Sequence, residues 1–181
     1  NKNILIIGSG FLGILIAQIL NKKYKNTKIT IADKNIKKLK KSKKYAKKIL
    51  LNKNIINNNL FINNFDLVIE TSGDSLSFSN SINLTTNNGT LLWMGNINKD
   101  LNLNRNTVSN ILRKELTILG SWNSNHEDWN FAHKLILNGF KPSNLVSHLV
   151  NLPDVPKITK KILNHKNRIK KFDYLKTMIQ L

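Results

Sequence analysis

"ILIIGSGFLGILIAQIL", residues 4–20, is an apolar run that halts at Gly8, meets glycines again at Gly10 and Gly13, and then resumes. Residues 4–8 read as a buried strand, and residues 11–23 as a helix with apolar residues on almost every side. Between them Gly8-Ser9-Gly10-Phe11-Leu12-Gly13 spells G-x-G-x-x-G. Short glycine patterns recur by chance, but this one follows a strand and opens a helix, where it has a mechanism. Gly8 permits a sharp turn. Gly10 lacks the Cβ that would keep a pyrophosphate off the main chain. Gly13 lets the helix pack closely on the strand. The helix start then offers unpaired N–H groups and partial positive charge to phosphates. The alternative is a plain strand-to-helix turn with incidental glycines.

Five more β-type runs follow, at residues 28–33, 48–51, 66–71, 90–95 and 116–120. Several are continuously apolar, as parallel strands covered on both faces should be. Helical patterns fall between them at 35–48, 75–84 and 106–114. Strands alternating with helices mean βαβ units and a doubly wound parallel sheet. The Asn-rich connection 52–64 is too poor in apolar residues for a full crossover helix and reads as a short helix or loop. Beyond residue 120 come an amphipathic helix at 127–139 stopped by Gly139, an extended piece at 145–150, a helix opened by Pro153 or Pro156, and a last apolar run at 174–181. The expected organisation is a dinucleotide-binding domain over 1–140 and a C-terminal segment over 141–181.

The chain of 181 residues has the length of one ordinary domain and buries roughly 70% of its unfolded surface, so a core needs no staples. There is no cysteine, which excludes disulfides and thiolate metal sites and suits a cytoplasmic location. No apolar run reaches the roughly 18–20 residues of a membrane helix. The start, Asn1-Lys2-Asn3-Ile4, is neither a signal peptide nor an initiator methionine, and the chain reads as a piece of something longer. The net charge of +19 raises nucleic acid as a partner. Against it, lysine is spread through the chain together with Asn and Ile. The densest run, 35–48, has near-helical apolar spacing, so its lysines form a solvated face. No base-stacking aromatics interleave with them, and no nucleic-acid motif stands out.

The second strand ends at Asp33, about 20 residues past the last glycine, where the fingerprint expects an acid for the ribose hydroxyls. A carboxylate there accepts from the 2′-OH of NAD and repels the 2′-phosphate of NADP. Lys34 and Lys38 follow and soften that discrimination. The fourth and fifth strands end in small residues, Thr71-Ser72-Gly73 and Met94-Gly95, at the edge where ligands sit in such sheets. A simple turn explains either one nearly as well.

Together "LIIGSGFLGILIAQ" (5–18), "ITIADKNIKKL" (29–39), "DLVIETSG" (66–73), "GTLLWMGN" (89–96) and "ILRKELTILGSWNS" (111–124) resemble the cofactor domain of zinc-type medium-chain dehydrogenases. The similarity is to their polyol and polyol-phosphate branch, galactitol-1-phosphate 5-dehydrogenases in particular. "LVSHLVNLPDVPKITKKIL" and "LKTMI" resemble that family's C-terminal part. The resemblance implies a Rossmann fold, a doubly wound six-stranded parallel sheet with a short C-terminal extension. It implies NAD as cofactor and a sugar alcohol or its phosphate as substrate. It also implies a pyrophosphate turn of Gly8, Gly10, Leu12 and Gly13, with Asp33 and Lys38 at the ribose; Phe11, inside the turn, and Lys34, beside Asp33, are expected cofactor contacts as well. Thr71, Gly95 and Ser121 are then expected around the nicotinamide half and Lys176 at the pyrophosphate, while Ser72, Gly73 and Met94, at the same two strand ends, are expected to admit the adenosine and nicotinamide ends. In such enzymes zinc and the proton relay come mainly from an N-terminal GroES-like domain, which is absent from this sequence. No catalytic residue or zinc ligand is therefore assigned here. His126, His133, His148 and His165 lack metal-site spacing. The sixth strand is the expected edge for a homodimer or tetramer. Ribitol-5-phosphate dehydrogenases share the short 52–64 connection, but they usually use NADPH and lack an acid at the Asp33 position. A non-catalytic nucleotide-binding module is the other alternative.

Overall fold

The computed structural model describes residues 2–51, 55, 59–97, 99–166 and 174–180. Contacts divide the chain into two compact units, residues 1–123 and 124–181.

The first unit is built on β1 (Asn3–Ile7), α1 (Phe11–Lys23), β2 (Lys28–Asp33), α2 (Ile36–Ser42), β3 (Lys48–Leu51), β4 (Phe65–Glu70), α3 (Ser75–Leu84), β5 (Thr85–Trp93), α4 (Arg105–Arg113) and β6 (Thr117–Gly120). All six strands pair in parallel in the order β3-β2-β1-β4-β5-β6. The chain leaves β1 for β2 on one side and returns to β4 on the other, so the order reverses beside β1. That reversal opens a crevice at the carboxyl ends of β1 and β4, where such folds bind ligands.

The uninterrupted apolar runs follow from the two covered faces of the sheet. Along β1, Leu5 and Ile7 join Ala32, Val68, Phe78, Ile82 and Leu91 in one core cluster. Ile4 and Ile6 join Ala17, Ile29, Ile31, Leu39 and Ile69 in the other. Successive side chains point to opposite faces, so a strand buried on both sides can have no polar alternation.

Several boundaries differ from the sequence reading. The helix expected over 35–48 stops at Ser42, whose hydroxyl donates to Leu39 O at 2.8 Å. A single 3₁₀ turn, Lys43–Tyr45, follows. The chain must then extend, because Lys47 N donates to Ile29 O at 2.9 Å and β3 pairs with β2. Tertiary pairing overrides a helical pattern in this segment. Strand β5 begins at Thr85, five residues earlier than residue 90, because Thr85 pairs with Phe65 across a bulge. In the 52–64 connection, residues 52–54 and 56–58 lie outside the described residues, Ile55 is buried, and Asn59–Phe61 forms one 3₁₀ turn.

The second unit contains α5 (His126–Leu137), β7 (His148–Asn151), α6 (Val155–Lys166) and β8 (Thr177–Gln180). Helix α5 opens on a capping box between Asn125 and Asp128. It ends at Gly139, whose φ of +77° suits a residue without a Cβ. Strands β7 and β8 pair in parallel. The extended piece expected at 145–150 is thus shifted to 148–151, behind a 3₁₀ turn at Pro142–Leu145. Pro156 stands in the first turn of α6, while Pro153 belongs to the 3₁₀ turn Leu152–Asp154. The expected boundary at residue 140 falls inside this unit.

Candidate functional site

The glycine turn sits at the carboxyl end of β1, beside the order reversal. Gly8 has φ of +106°, a region that residues with a Cβ rarely adopt. Its N–H donates to Ala32 O at 2.8 Å. A Cβ on Gly13 would overlap the Gly8 carbonyl oxygen, so the closeness of α1 to β1 depends on that missing atom. Gly10 is different. It caps α1 with ordinary extended backbone (φ −76°), and a Cβ there would meet nothing within 4 Å. The space over Gly10 is therefore open, and Gly10, the N-cap of α1, has no side chain to cap it. Open space over a Cβ-free residue at a helix start is the cradle that a pyrophosphate requires. Phe11 and Leu12 begin the helix, Leu12 partly facing solvent.

Asp33, half-buried at the end of β2, stands across the turn. Its Oδ2 accepts from the Ser9 backbone N–H at 2.7 Å and from the Ser9 hydroxyl at 2.9 Å. Its Oδ1 accepts from Asn35 N–H at 2.7 Å. Three donors fix the carboxylate yet leave acceptor capacity on Oδ1, since an ionised carboxylate offers about four lone-pair sites. Asn35 in turn caps α2, accepting from Lys37 N–H at 3.0 Å and Lys38 N–H at 3.3 Å. Lys34 is exposed beside Asp33.

The end of β4 meets the turn from the other side. Thr71 N–H and the Thr71 hydroxyl both donate to Ile7 O at 2.9 Å. The hydroxyl thereby braces the glycine turn. Glu70, just before it, is wholly buried. Its Oε1 accepts from Ser72 N–H at 2.8 Å and from the Ser72 hydroxyl, and its Oε2 accepts from Gly73 N–H at 3.2 Å. Burial raises its carboxyl above the ordinary glutamate value, the hydrogen bonds from Ser72 and Gly73 oppose that, and the Asp74 charge adds to it. Met94 and Gly95 N–H both donate to Glu70 O at 2.9 Å, joining the ends of β4 and β5. A Cβ on Gly95 would overlap both Gly73 N and Glu70 Oε2.

Past β5 a cleft of about 280 Å³ opens between Trp93, Met94, Gly95, Asn96, Gly120, Ser121 and Trp122. Trp93 Nε1 donates to Gly95 O at 2.6 Å, and Ser121 N–H donates to Trp93 O at 2.9 Å, so the last turns of β5 and β6 share one frame.

One edge of the six-stranded sheet thus gathers Gly8, Gly10, Phe11, Leu12, Gly13, Asp33, Lys34, Lys38, Thr71, Ser72, Gly73, Met94, Gly95 and Ser121. Lys176 belongs to the second unit, where its carbonyl accepts from Ser147 N–H at 2.8 Å. Sequence reasoning missed Ser9 and Glu70. Each had a signal: Ser9 is a hydroxyl between two glycines, and Glu70 is an acid closing the apolar run "LVI" in a strand buried on both faces. Among the described residues no three of His, Cys, Asp and Glu converge as metal ligands. No helix among them is long and apolar enough to cross a membrane.

The sequence model of a family described as zinc-binding dehydrogenase matches residues 12–138. Galactitol 1-phosphate 5-dehydrogenase of Escherichia coli K12 is 29% identical over 140 residues, 71% of this chain and 39% of that protein. The solved structure of L-idonate 5-dehydrogenase from E. coli K-12 matches with a TM-score of 0.83 at 20% identity, covering 99% of this chain and 50% of that one. That of a short chain alcohol dehydrogenase from E. coli CFT073, complexed with the cofactor NADH, matches at 0.81 and 19% identity, covering 100% and 52%. This chain therefore spans about two fifths of the curated relative and about half of the solved chains. At these identities the two solved structures speak for the fold.

Proposed function

The chain belongs to the zinc-binding dehydrogenase family, and we propose that it is the NAD-binding part of a polyol or polyol-phosphate dehydrogenase that oxidises a secondary alcohol to a ketone. The observation that carries this reading is the glycine turn at the order reversal, open over Gly10, with the Asp33 carboxylate fixed beside it by Ser9.

In this reading the Gly10 main chain and the first N–H groups of α1 bind the pyrophosphate, with Phe11 and Leu12 at its side. Asp33 accepts from a ribose hydroxyl and repels a phosphate on the same carbon, while Lys34 and Lys38 temper that repulsion. Thr71, Ser72, Gly73, Met94, Gly95 and Ser121 line the nicotinamide half, where small residues leave room for the ring. Bound NAD supplies the hydride acceptor. The residues of this chain bind and orient it. Zinc enters only through residues outside those described, and no step is assigned to it.

The test is a fluorescence titration with NADH and with NADPH at moderate salt, with duplex DNA as competitor. Saturable NADH binding, weaker NADPH binding and indifference to DNA are expected. No dinucleotide binding, with DNA binding that collapses as salt rises, would transfer the function to the +19 charge. Asp33→Ser is expected to weaken NADH about tenfold, the loss of one hydrogen bond to a charged acceptor, and to narrow the gap to NADPH. Unchanged affinities for both would remove Asp33 from the ribose site.

We extend the reading to assembly. Strand β6 is an edge of the sheet, and Leu119 on it is 50% exposed. An unpaired edge is a template for a second strand, and a second copy of this chain fits it. Light scattering at micromolar concentration is expected to return the mass of a dimer or tetramer, and a monomer would count against this edge.

A further inference from the structure

Among the described residues Glu70 is the one wholly buried carboxylate. Its side-chain partners are the Ser72 N–H and hydroxyl and the Gly73 N–H, with no cation among them. Dipoles of this kind spread a negative charge without cancelling it. Glu70 Oε2 also lies directly behind Gly95, where a Cβ would stand, and Gly95 lines the cleft beyond β5. The carboxylate is therefore separated from whatever occupies that cleft by a residue with no side chain.

We propose that Glu70 is a fixed negative charge beneath the cleft that favours an oxidised, cationic nicotinamide ring over the reduced, neutral one. This inference rests on the dinucleotide reading above. The oxidised ring carries one positive charge. It loses that charge when hydride, carrying two electrons, leaves the alcohol carbon and bonds to ring C4, while the hydroxyl proton of the alcohol departs separately. Only the oxidised form gains from a buried anion nearby. The gain is weakly screened, because water does not reach Glu70. Coulomb's law at an effective dielectric of about 20 gives a preference of about tenfold at a separation of about 12 Å. For a two-electron couple that lowers the potential of the bound cofactor by about 30 mV, toward hydride donation. Glu70 also positions the turn, and that role alone would move both affinities equally.

Equilibrium titrations with NAD⁺ and NADH, on the wild-type chain and on Glu70→Gln, separate the two roles. The ratio of NADH to NAD⁺ affinity is expected to rise about tenfold in Glu70→Gln. Equal weakening of both forms overturns the proposal and leaves Glu70 as a brace. Where thermal melting shows that Glu70→Gln does not fold, Ser72→Ala keeps the charge and removes one donor. Its ratio should stay within about twofold of wild type while both affinities fall, and a collapsed ratio overturns the proposal. A wild-type chain that binds neither form defeats the dinucleotide reading and this one together. One that binds both, with a ratio unmoved in Glu70→Gln, defeats this one alone.

Discussion

Gly13→Ala should lower stability by about 3 kcal/mol, while Gly10→Ala should leave it within about 0.5 kcal/mol of wild type. The two glycines lie three positions apart in one motif, yet their surroundings differ completely. A Cβ on Gly13 overlaps the Gly8 carbonyl oxygen and comes within 3.2 Å of Thr71 Oγ1. Neither neighbour can retreat. Gly8 is held by Ala32 at φ of +106°, and Thr71 is tied to Ile7 O through both its N–H and its hydroxyl. Helix α1 must then lift away from a strand whose Ile4, Leu5, Ile6 and Ile7 are all buried. For a chain of this size the loss corresponds to a fall of about 6–12 °C in melting temperature. Gly10 has no such neighbour and ordinary backbone angles, so its Cβ enters the space assigned to pyrophosphate. Gly10→Ala should therefore fold normally and lose most dinucleotide affinity. Denaturation and titration on the same two variants check both halves. Equal destabilisation by the two would show that the motif serves only the turn.

Lys114→Met is the second large expected effect, again about 3 kcal/mol. Lys114 follows α4 and is buried, with 7% of its surface exposed. Its Nζ donates to Ile82 O at 3.0 Å, and to Asn83 O and Thr85 O at 2.9 Å. These carbonyls end α3, where a helix leaves acceptors unpaired and a cation is favourable. Burial pulls the ammonium below the ordinary lysine value, and the three acceptors face its charge. Methionine fills a similar volume but donates nothing. Asn83 O would keep its bond from Asn63 N–H, whereas Ile82 O and Thr85 O would lose the Lys114 donor. Urea denaturation of the variant checks the magnitude. A loss under about 1 kcal/mol would mean that water replaces the ammonium and the site is less sealed than its burial indicates.

Both effects trace to features that differ in how far the sequence discloses them. The G-x-G-x-x-G spacing, the acid at Asp33 and the small residues ending the fourth and fifth strands are local, and each was readable from its place in the order of elements. The inner strands were readable too, because a strand covered on both faces, as β1 is, must be apolar throughout. Nothing local in the sequence marks Lys114 among the chain's many lysines. Its burial exists only because α3 and α4 pack so that three carbonyl ends meet one ammonium.

The sequence by itself determined the parallel six-stranded architecture and the position of the glycine turn, since both depend on spacing and on patterns a few residues long. The tertiary structure alone decided which glycine is sterically required and which is open. It also ended α2 at Ser42, when pairing with β2 outweighed a helical pattern. Ser9 became the partner of Asp33, and Glu70 a buried anion behind Gly95, through contacts between residues 24 and 25 positions apart in the chain. Such contacts carry no local periodicity, because they are set by how the strands align at one edge of the sheet.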